Sequence, residues 1–139
     1  MNRLFVYGTL RNGRLATVVP EIAGSIRLQK KGYIKGRLFD TGEYPGAVPY
    51  PKGEKKVYGD IIEIDEAKVD TVLQILDEYE EFYKNDIKNS LFTRNLVTVN
   101  INDTKTVKSW VYWYNREVKN LKEIKDGVYR KRKQIISSL

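Results

Sequence analysis

Two stretches of this sequence hold groups that could carry chemistry. One is the acidic run Asp77-Glu78-Tyr79-Glu80-Glu81, which offers carboxylates as proton carriers. The other is Leu4-Phe5-Val6-Tyr7-Gly8-Thr9-Leu10-Arg11, an apolar run of strand type that stops at a glycine. Gly8 allows backbone dihedrals closed to other residues and lets a ligand approach the main chain, while Thr9, Leu10 and Arg11 can leave N–H groups free to face an anion. Taken alone, a strand with an ordinary turn explains the octet as well, and a solvated loop explains an arbitrary acidic cluster.

The sequence holds no cysteine and no histidine. Disulfides, thiolate nucleophiles and cysteine metal sites are therefore excluded, as are the usual general base near neutral pH and the commonest metal ligand. Any acid or base must be Asp, Glu, Lys or Tyr. The net charge of +7 raises the question of nucleic acid. The positive residues, however, fall in separate groups at Lys30-Lys31, Lys52 to Lys56 and Arg130-Lys131-Arg132-Lys133, without interleaved aromatics. That distribution describes a solvated surface with a basic tail better than a nucleic-acid groove. With 139 residues and 41% hydrophobic content, residues 1–139 read as one domain with a single core. The apolar run after Met1-Asn2-Arg3 is too short for a signal sequence, and no apolar run approaches the roughly 18 residues of a membrane span. The expectation is a soluble cytoplasmic protein with no membrane contact.

The elements that position the two stretches follow from periodicity. Asp65 is a fitting N-cap, and Val69, Val72, Leu73 and Leu76 recur at helical spacing, which predicts one principal helix over about Glu66 to Asp77. Continuing at about 100° per residue, Glu80 falls in the middle of this apolar stripe, Glu78 lies opposite it, and Asp77 and Glu81 sit to one side. A carboxylate thus stands where the pattern asks for an apolar side chain, provided the helix reaches it. Elsewhere the patterns are of strands: Leu4 to Tyr7, Ile22 to Gln29, Tyr33 to Asp40 after a turn at Lys30-Lys31-Gly32, a short edge strand at Ala47 to Pro49, Val57 to Ile64, Leu91 to Ile101 and Val107 to Tyr114. Gly32 and Gly36 suggest a bulged or sharply curved sheet in which another backbone comes close. Trp110, Tyr112 and Tyr114 share one face, and aromatics at period two are first of all packing residues. Val118, Leu121 and Ile124 predict a short amphipathic helix ending near Gly127, and Val128 to Leu139 a helical arm or a frayed end. The core is placed at about residues 3–115, with 116–139 as a helical or flexible extension that carries the basic tail.

Phe5-Val6-Tyr7-Gly8-Thr9-Leu10-Arg11, Gly36-Arg37-Leu38-Phe39-Asp40-Thr41-Gly42-Glu43-Tyr44-Pro45-Gly46, Val57-Tyr58-Gly59-Asp60, Leu76-Asp77-Glu78-Tyr79-Glu80 and Phe92-Thr93-Arg94 occur in an order that resembles the γ-glutamyl cyclotransferase-like family, which includes the γ-glutamylamine cyclotransferases and AIG2-like proteins. The resemblance runs from about Leu4 to Tyr114. It implies an α+β fold, a small mixed and mainly antiparallel barrel-like sheet with one principal helix. It also implies substrate binding by the loop Tyr7, Gly8, Thr9 and Leu10, and an acid/base role for Glu80. Tyr112 is the aromatic we place with that loop, and the pattern leaves open whether Tyr112 or Tyr114 faces the pocket. Three departures stand out: Glu81 where a glycine often follows the catalytic glutamate, Gly59-Asp60 for a more usual Gly-Glu, and a longer segment from Glu81 to Leu91 that can wall one side of the pocket.

The implied reaction is attack of a γ-glutamyl substrate's α-amine on its own γ-carbonyl, giving 5-oxoproline and a free amine. It requires no nucleophile, metal or organic cofactor from the protein. Its partner is a small-molecule γ-glutamyl amine or γ-glutamyl amino acid. A different class of function, a non-catalytic basic binding module on the same barrel, has no use for a carboxylate on the buried stripe. The departing amine, the oligomeric state and the pathway are left open.

Overall fold

The computed structural model describes residues 1–130. The chain forms β1 (Arg3–Val6), a short helix α1 (Arg14–Val18), a 3-10 segment (Pro20–Ser25), β2 (Ile26–Asp40), β3 (Pro45–Pro49) and β4 (Lys56–Ile64). A 3-10 turn (Glu66–Lys68) then enters α2 (Val69–Tyr79), and a further 3-10 turn (Ile87–Asn89), β5 (Phe92–Asn100), β6 (Thr106–Tyr114) and β7 (Lys122–Glu123) follow. The sheet order is β3-β2-β4-β1-β6-β5, and β2 also meets β5 at Tyr33 and Asn100. That second pairing closes β2, β4, β1, β6 and β5 into a five-stranded barrel, while β3 and β7 extend the far half of β2. The β1–β6 pair is parallel, and the other described pairs are antiparallel. This is the expected α+β, mainly antiparallel barrel with one principal helix.

β1 reads as a continuous apolar run because both of its faces are buried. Phe5 and Tyr7 join Ile34, Leu38, Val57, Ile61, Val99 and Val111 in one core cluster. Leu4 and Val6, alternating with them, join Ile62, Ile64 and the stripe Val72, Leu73 and Leu76 of α2 in another. Each such side chain, fully buried, contributes about 1.5–3 kcal/mol. Trp110, Tyr112 and Tyr114 all pack on the α2 side, whereas Val111 and Trp113 pack with the first cluster, as their alternation requires. Asp65 caps the helical segment by accepting from the Ala67 N–H at 3.3 Å. At the barrel closure Gly32 is needed for space: a Cβ there would lie 2.7 Å from the Asn100 carbonyl oxygen.

Three local readings of the sequence are corrected. Ile22 to Ser25 is 3-10 rather than strand, and no turn occurs at Lys30-Lys31-Gly32. β2 instead runs through these residues with an irregularity between Leu28 and Lys30, because it pairs with β4 from Ile26–Ile64 to Lys35–Lys56 and the long ladder overrides a local turn signal. The helix expected over Val118 to Ile124 is a turn closed by Leu121 N–H to Val118 C=O (2.9 Å), followed by β7. There the Ile124 N–H donates to the Leu38 carbonyl (2.7 Å) and Glu123 pairs with Arg37 (2.8 Å), so sheet partners decide the conformation. Finally, α1 stands in a segment without a recognisable pattern and buries Leu15. Of the basic tail, Arg130 bonds Asp126 at 2.7 Å; the remainder of the expected arm, 131–139, lies outside the described residues.

Candidate active site

Helix α2 ends on the residues that matter. It continues past Asp77 to Tyr79, and Glu80 is its C-cap, with its N–H donating to the Leu76 carbonyl at 2.8 Å. Glu81 follows in the left-handed region (φ 54), with its N–H on Glu78 C=O (3.1 Å) and the Phe82 N–H on Asp77 C=O (2.8 Å). This is a Schellman termination, whose left-handed position is ordinarily glycine. A side chain there costs roughly 1–2 kcal/mol. The Glu81 carbonyl in turn accepts from the Leu91 N–H at 3.0 Å, closing the connection from 81 to 91 on itself. Buried Ser90 fastens the same loop, its Oγ accepting from Tyr83 N–H at 2.8 Å and facing the Asp86 carbonyl at 3.0 Å.

Glu80 therefore stands one turn beyond Leu76 on the apolar stripe. It lines a cavity of about 330 Å³ together with Tyr7, Gly8, Thr9, Leu10 and Tyr112. All six residues singled out from the sequence meet at this one cavity. Its other walls are Phe5, Val6, Tyr44, Pro45, Tyr79, Glu81, Leu91 and Phe92. Of the two aromatics left open by the pattern, Tyr112 lines the cavity, while Tyr114 packs edge-on against Phe92 (5.6 Å between ring centres). Among the described residues, the Glu80 carboxyl has no hydrogen-bond or ion-pair partner. The residue keeps some solvent-facing surface, yet its carboxyl is largely cut off from water. Desolvation, with a smaller contribution from the negative charge of Glu81, pushes it up from the ordinary 4.5 to about 7. That value suits a group that must both take and return a proton near neutral pH.

The loop after β1 is held from beneath. Asp60 on β4, 1% exposed, accepts from Arg11 Nη2 at 3.1 Å and Nε at 3.3 Å and from the Asn12 backbone N–H at 2.7 Å. Asn12 is itself left-handed (φ 60), a conformation that asparagine tolerates. The Arg11 N–H closes a turn onto Gly8 C=O (3.2 Å), so it is not free for a ligand as the sequence suggested. The N–H groups of Thr9 and Leu10 have no partner among the described residues. Gly8 is required by close packing, since a Cβ would lie 2.7 Å from Pro45 Cγ.

Both tyrosine hydroxyls are engaged by the protein. Tyr7 donates to the Tyr112 carbonyl (2.7 Å) and accepts from the Ala47 N–H (3.2 Å). Tyr112 donates to Asp77 Oδ1 (2.7 Å), and Arg94 grips the same carboxylate with Nε (2.7 Å) and Nη2 (3.0 Å). Burial first, and for Tyr112 the Asp77 bond next, raises both phenols above their ordinary range, so they stay protonated and neutral. The Arg94 guanidinium lies over the Trp110 ring at 4.4 Å. Sequence reasoning missed Asp60, Asp77 and Arg94 as the supports of the site. The quoted motifs contain all three, but their roles depend on pairing across strands that no local pattern displays.

A family model for gamma-glutamyl cyclotransferase, AIG2-like proteins matches residues 4–131. No curated protein sequence matches the chain. Among solved structures, YkqA from Bacillus subtilis is 26% identical with a TM-score of 0.61, over 92% of this chain and 39% of YkqA, so the chain spans well under half of that protein. YtfP from Escherichia coli is 29% identical with a TM-score of 0.59, over 91% of this chain and 94% of its own. An AIG2-like protein from Mus musculus is 25% identical with a TM-score of 0.61, over 81% of this chain and 76% of its own. With a family match that spans nearly the whole chain and the same fold in these structures, the chain belongs to the gamma-glutamyl cyclotransferase, AIG2-like family.

Proposed function

We propose that this protein is a γ-glutamyl cyclotransferase that converts a γ-glutamyl amine to 5-oxoproline and the free amine, with Glu80 as the proton carrier. The observation that carries this reading is the placement of the Glu80 carboxyl, desolvated and without a partner among the described residues, in the same cavity as the Gly8 loop.

The substrate α-nitrogen attacks its own γ-carbonyl carbon, forming the ring C–N bond and a tetrahedral oxyanion. The C–N bond to the departing amine then breaks. Of the three protons on an initial α-ammonium, one stays on the lactam nitrogen and Glu80 carries the other two, in turn, to the departing nitrogen, so no water is consumed. The N–H groups of Thr9 and Leu10, which have no partner among the described residues, are donors for the substrate carboxylate or the developing oxyanion. Holding the glutamyl chain folded back supplies much of the rate, because effective molarities for well-oriented intramolecular attack reach 10⁵ M or more, on the order of 7 kcal/mol of barrier. A cavity of about 330 Å³ with mostly apolar walls suits a small molecule of this kind.

The alternative, a basic module that binds anions, finds no support in the lining: among the described residues no lysine or arginine faces this cavity. The test is incubation with γ-glutamyl amines, γ-glutamyl dipeptides and glutathione, with 5-oxoproline as readout. Release from at least one supports the reading, and release from none at micromolar enzyme overturns it.

A further inference from the structure

The cavity has a charge character opposite to that of the protein around it. The chain carries a net charge of +7, yet the charged side chains that line the cavity, among the described residues, are Glu80 and Glu81 alone. Glu80 is the proton carrier of the reading above. Glu81 carries no proton in that reaction, and its side chain makes no hydrogen bond or ion pair among the described residues.

Its position is nevertheless tightly fixed. The left-handed backbone, the N–H on Glu78 and the carbonyl held by Leu91 set the direction in which its side chain leaves the main chain. It is exposed at the rim, where solvent meets the apolar walls made by Leu91, Phe92, Tyr44 and Tyr79. Its charge reaches inward: burial is the main reason that the pKa values of Glu80 and Tyr44 are raised, and the negative charge of Glu81 adds to both. An apolar cavity whose lining includes a carboxylate and the rings of Tyr44 and Tyr79 complements a short methylene chain that ends in a cation, and it repels a chain that ends in a carboxylate.

Resting on the γ-glutamyl reading, we propose that Glu81 is a specificity-determining residue, selecting a departing amine that carries a second positive charge a few methylenes from the scissile nitrogen, as in a diamine. γ-Glutamyl compounds with a carboxylate there are disfavoured.

Three substrates of matched length test this: the γ-glutamyl amides of butylamine, 1,4-diaminobutane and 4-aminobutyrate, with neutral, cationic and anionic tails. For the wild-type protein, kcat/KM should fall in the order cationic, neutral, anionic, by about tenfold across each step at low salt and less at high salt. Glu81→Gln should flatten the series, read as the ratios of kcat/KM among the three tails at one pH, and Glu81→Lys should invert it. Binding of the three compounds to Glu80→Gln and to Glu80→Gln/Glu81→Gln, measured by calorimetry, reads the charge order without turnover. A flat wild-type series, or a cationic preference that survives Glu81→Gln, overturns the inference. Absent turnover with the charge order intact in binding overturns the reaction reading and leaves this one standing.

Discussion

The Tyr112 hydroxyl donates to Asp77 Oδ1 at 2.7 Å, joining the wall of the barrel to the last turn of α2 three residues before Glu80. Because Arg94 holds the same carboxylate from β5 and the Tyr112 carbonyl receives the Tyr7 hydroxyl, a chain of bonds runs from the residue after β1 to the helix end. By helical phase Asp77 had appeared a harmless neighbour of the cluster. The structure makes it the anchor that sets where Glu80 stands.

Asp77→Asn should therefore destabilise the protein by about 1.5–3 kcal/mol, the range for hydrogen bonds to charged groups, because it removes a charge-assisted pair with Arg94. Turnover should fall with it, whereas Tyr112→Phe, which removes one bond, should cost less. Chemical denaturation of both variants checks this, and an Asp77→Asn protein as stable as wild type would remove Asp77 from the scaffold.

Asp60→Ala should be more severe. It leaves the Arg11 guanidinium, largely buried, and the Asn12 N–H without their acceptor, and removal of one partner from a buried pair costs about 3 kcal/mol or more. Substrate affinity should suffer beyond what the lost stability explains, since the loop that presents Thr9 and Leu10 loses its support. A KM unchanged in the folded fraction would contradict this.

What could be read from the sequence was the part that local chemistry decides. The stripe Val72, Leu73, Leu76 and the phase of Glu80 were legible because helical geometry is local, and Phe5 to Leu10 because an apolar run ending in glycine announces a buried strand and a turn. Gly32 signalled a close approach of backbones but was assigned to a turn, since only the β2–β4 ladder reveals that the strand continues through it. The same holds for Ile124, whose helical spacing yields to a bond with Leu38. Asp60 and Asp77 looked like ordinary acidic residues because their partners lie 48 and 17 positions away.

The pH dependence follows from Glu80. With its pKa pushed up to about 7, the carboxylate form that accepts a proton is lost below neutrality, so kcat/KM should rise with pH along an acidic limb near 7. Glu81→Gln removes a negative charge that raises this value and should move the limb to lower pH, only in part, since desolvation is the larger cause. Stability carries the matching sign. Below pH 4.5 Glu80 is protonated in both folded and unfolded chains, and as pH rises the unfolded chain ionises first. The contribution of Glu80 to stability should fall between about pH 4.5 and 7 and level off above, and Glu80→Gln should lack that component. Paired melts of wild type and variant across this range check it.

The most direct measurement is 5-oxoproline release by Glu80→Gln beside wild type, on a γ-glutamyl amine that wild type turns over. Gln keeps the shape and hydrogen-bonding capacity of the side chain but cannot carry a proton, and a positioned acid/base is worth about 10² to 10⁴ in rate. The account predicts a fall of that size, with substrate still bound and the fold at least as stable at pH 8. Near wild-type turnover by Glu80→Gln, or a greater loss from Glu81→Gln than from Glu80→Gln on the neutral amide, would contradict it.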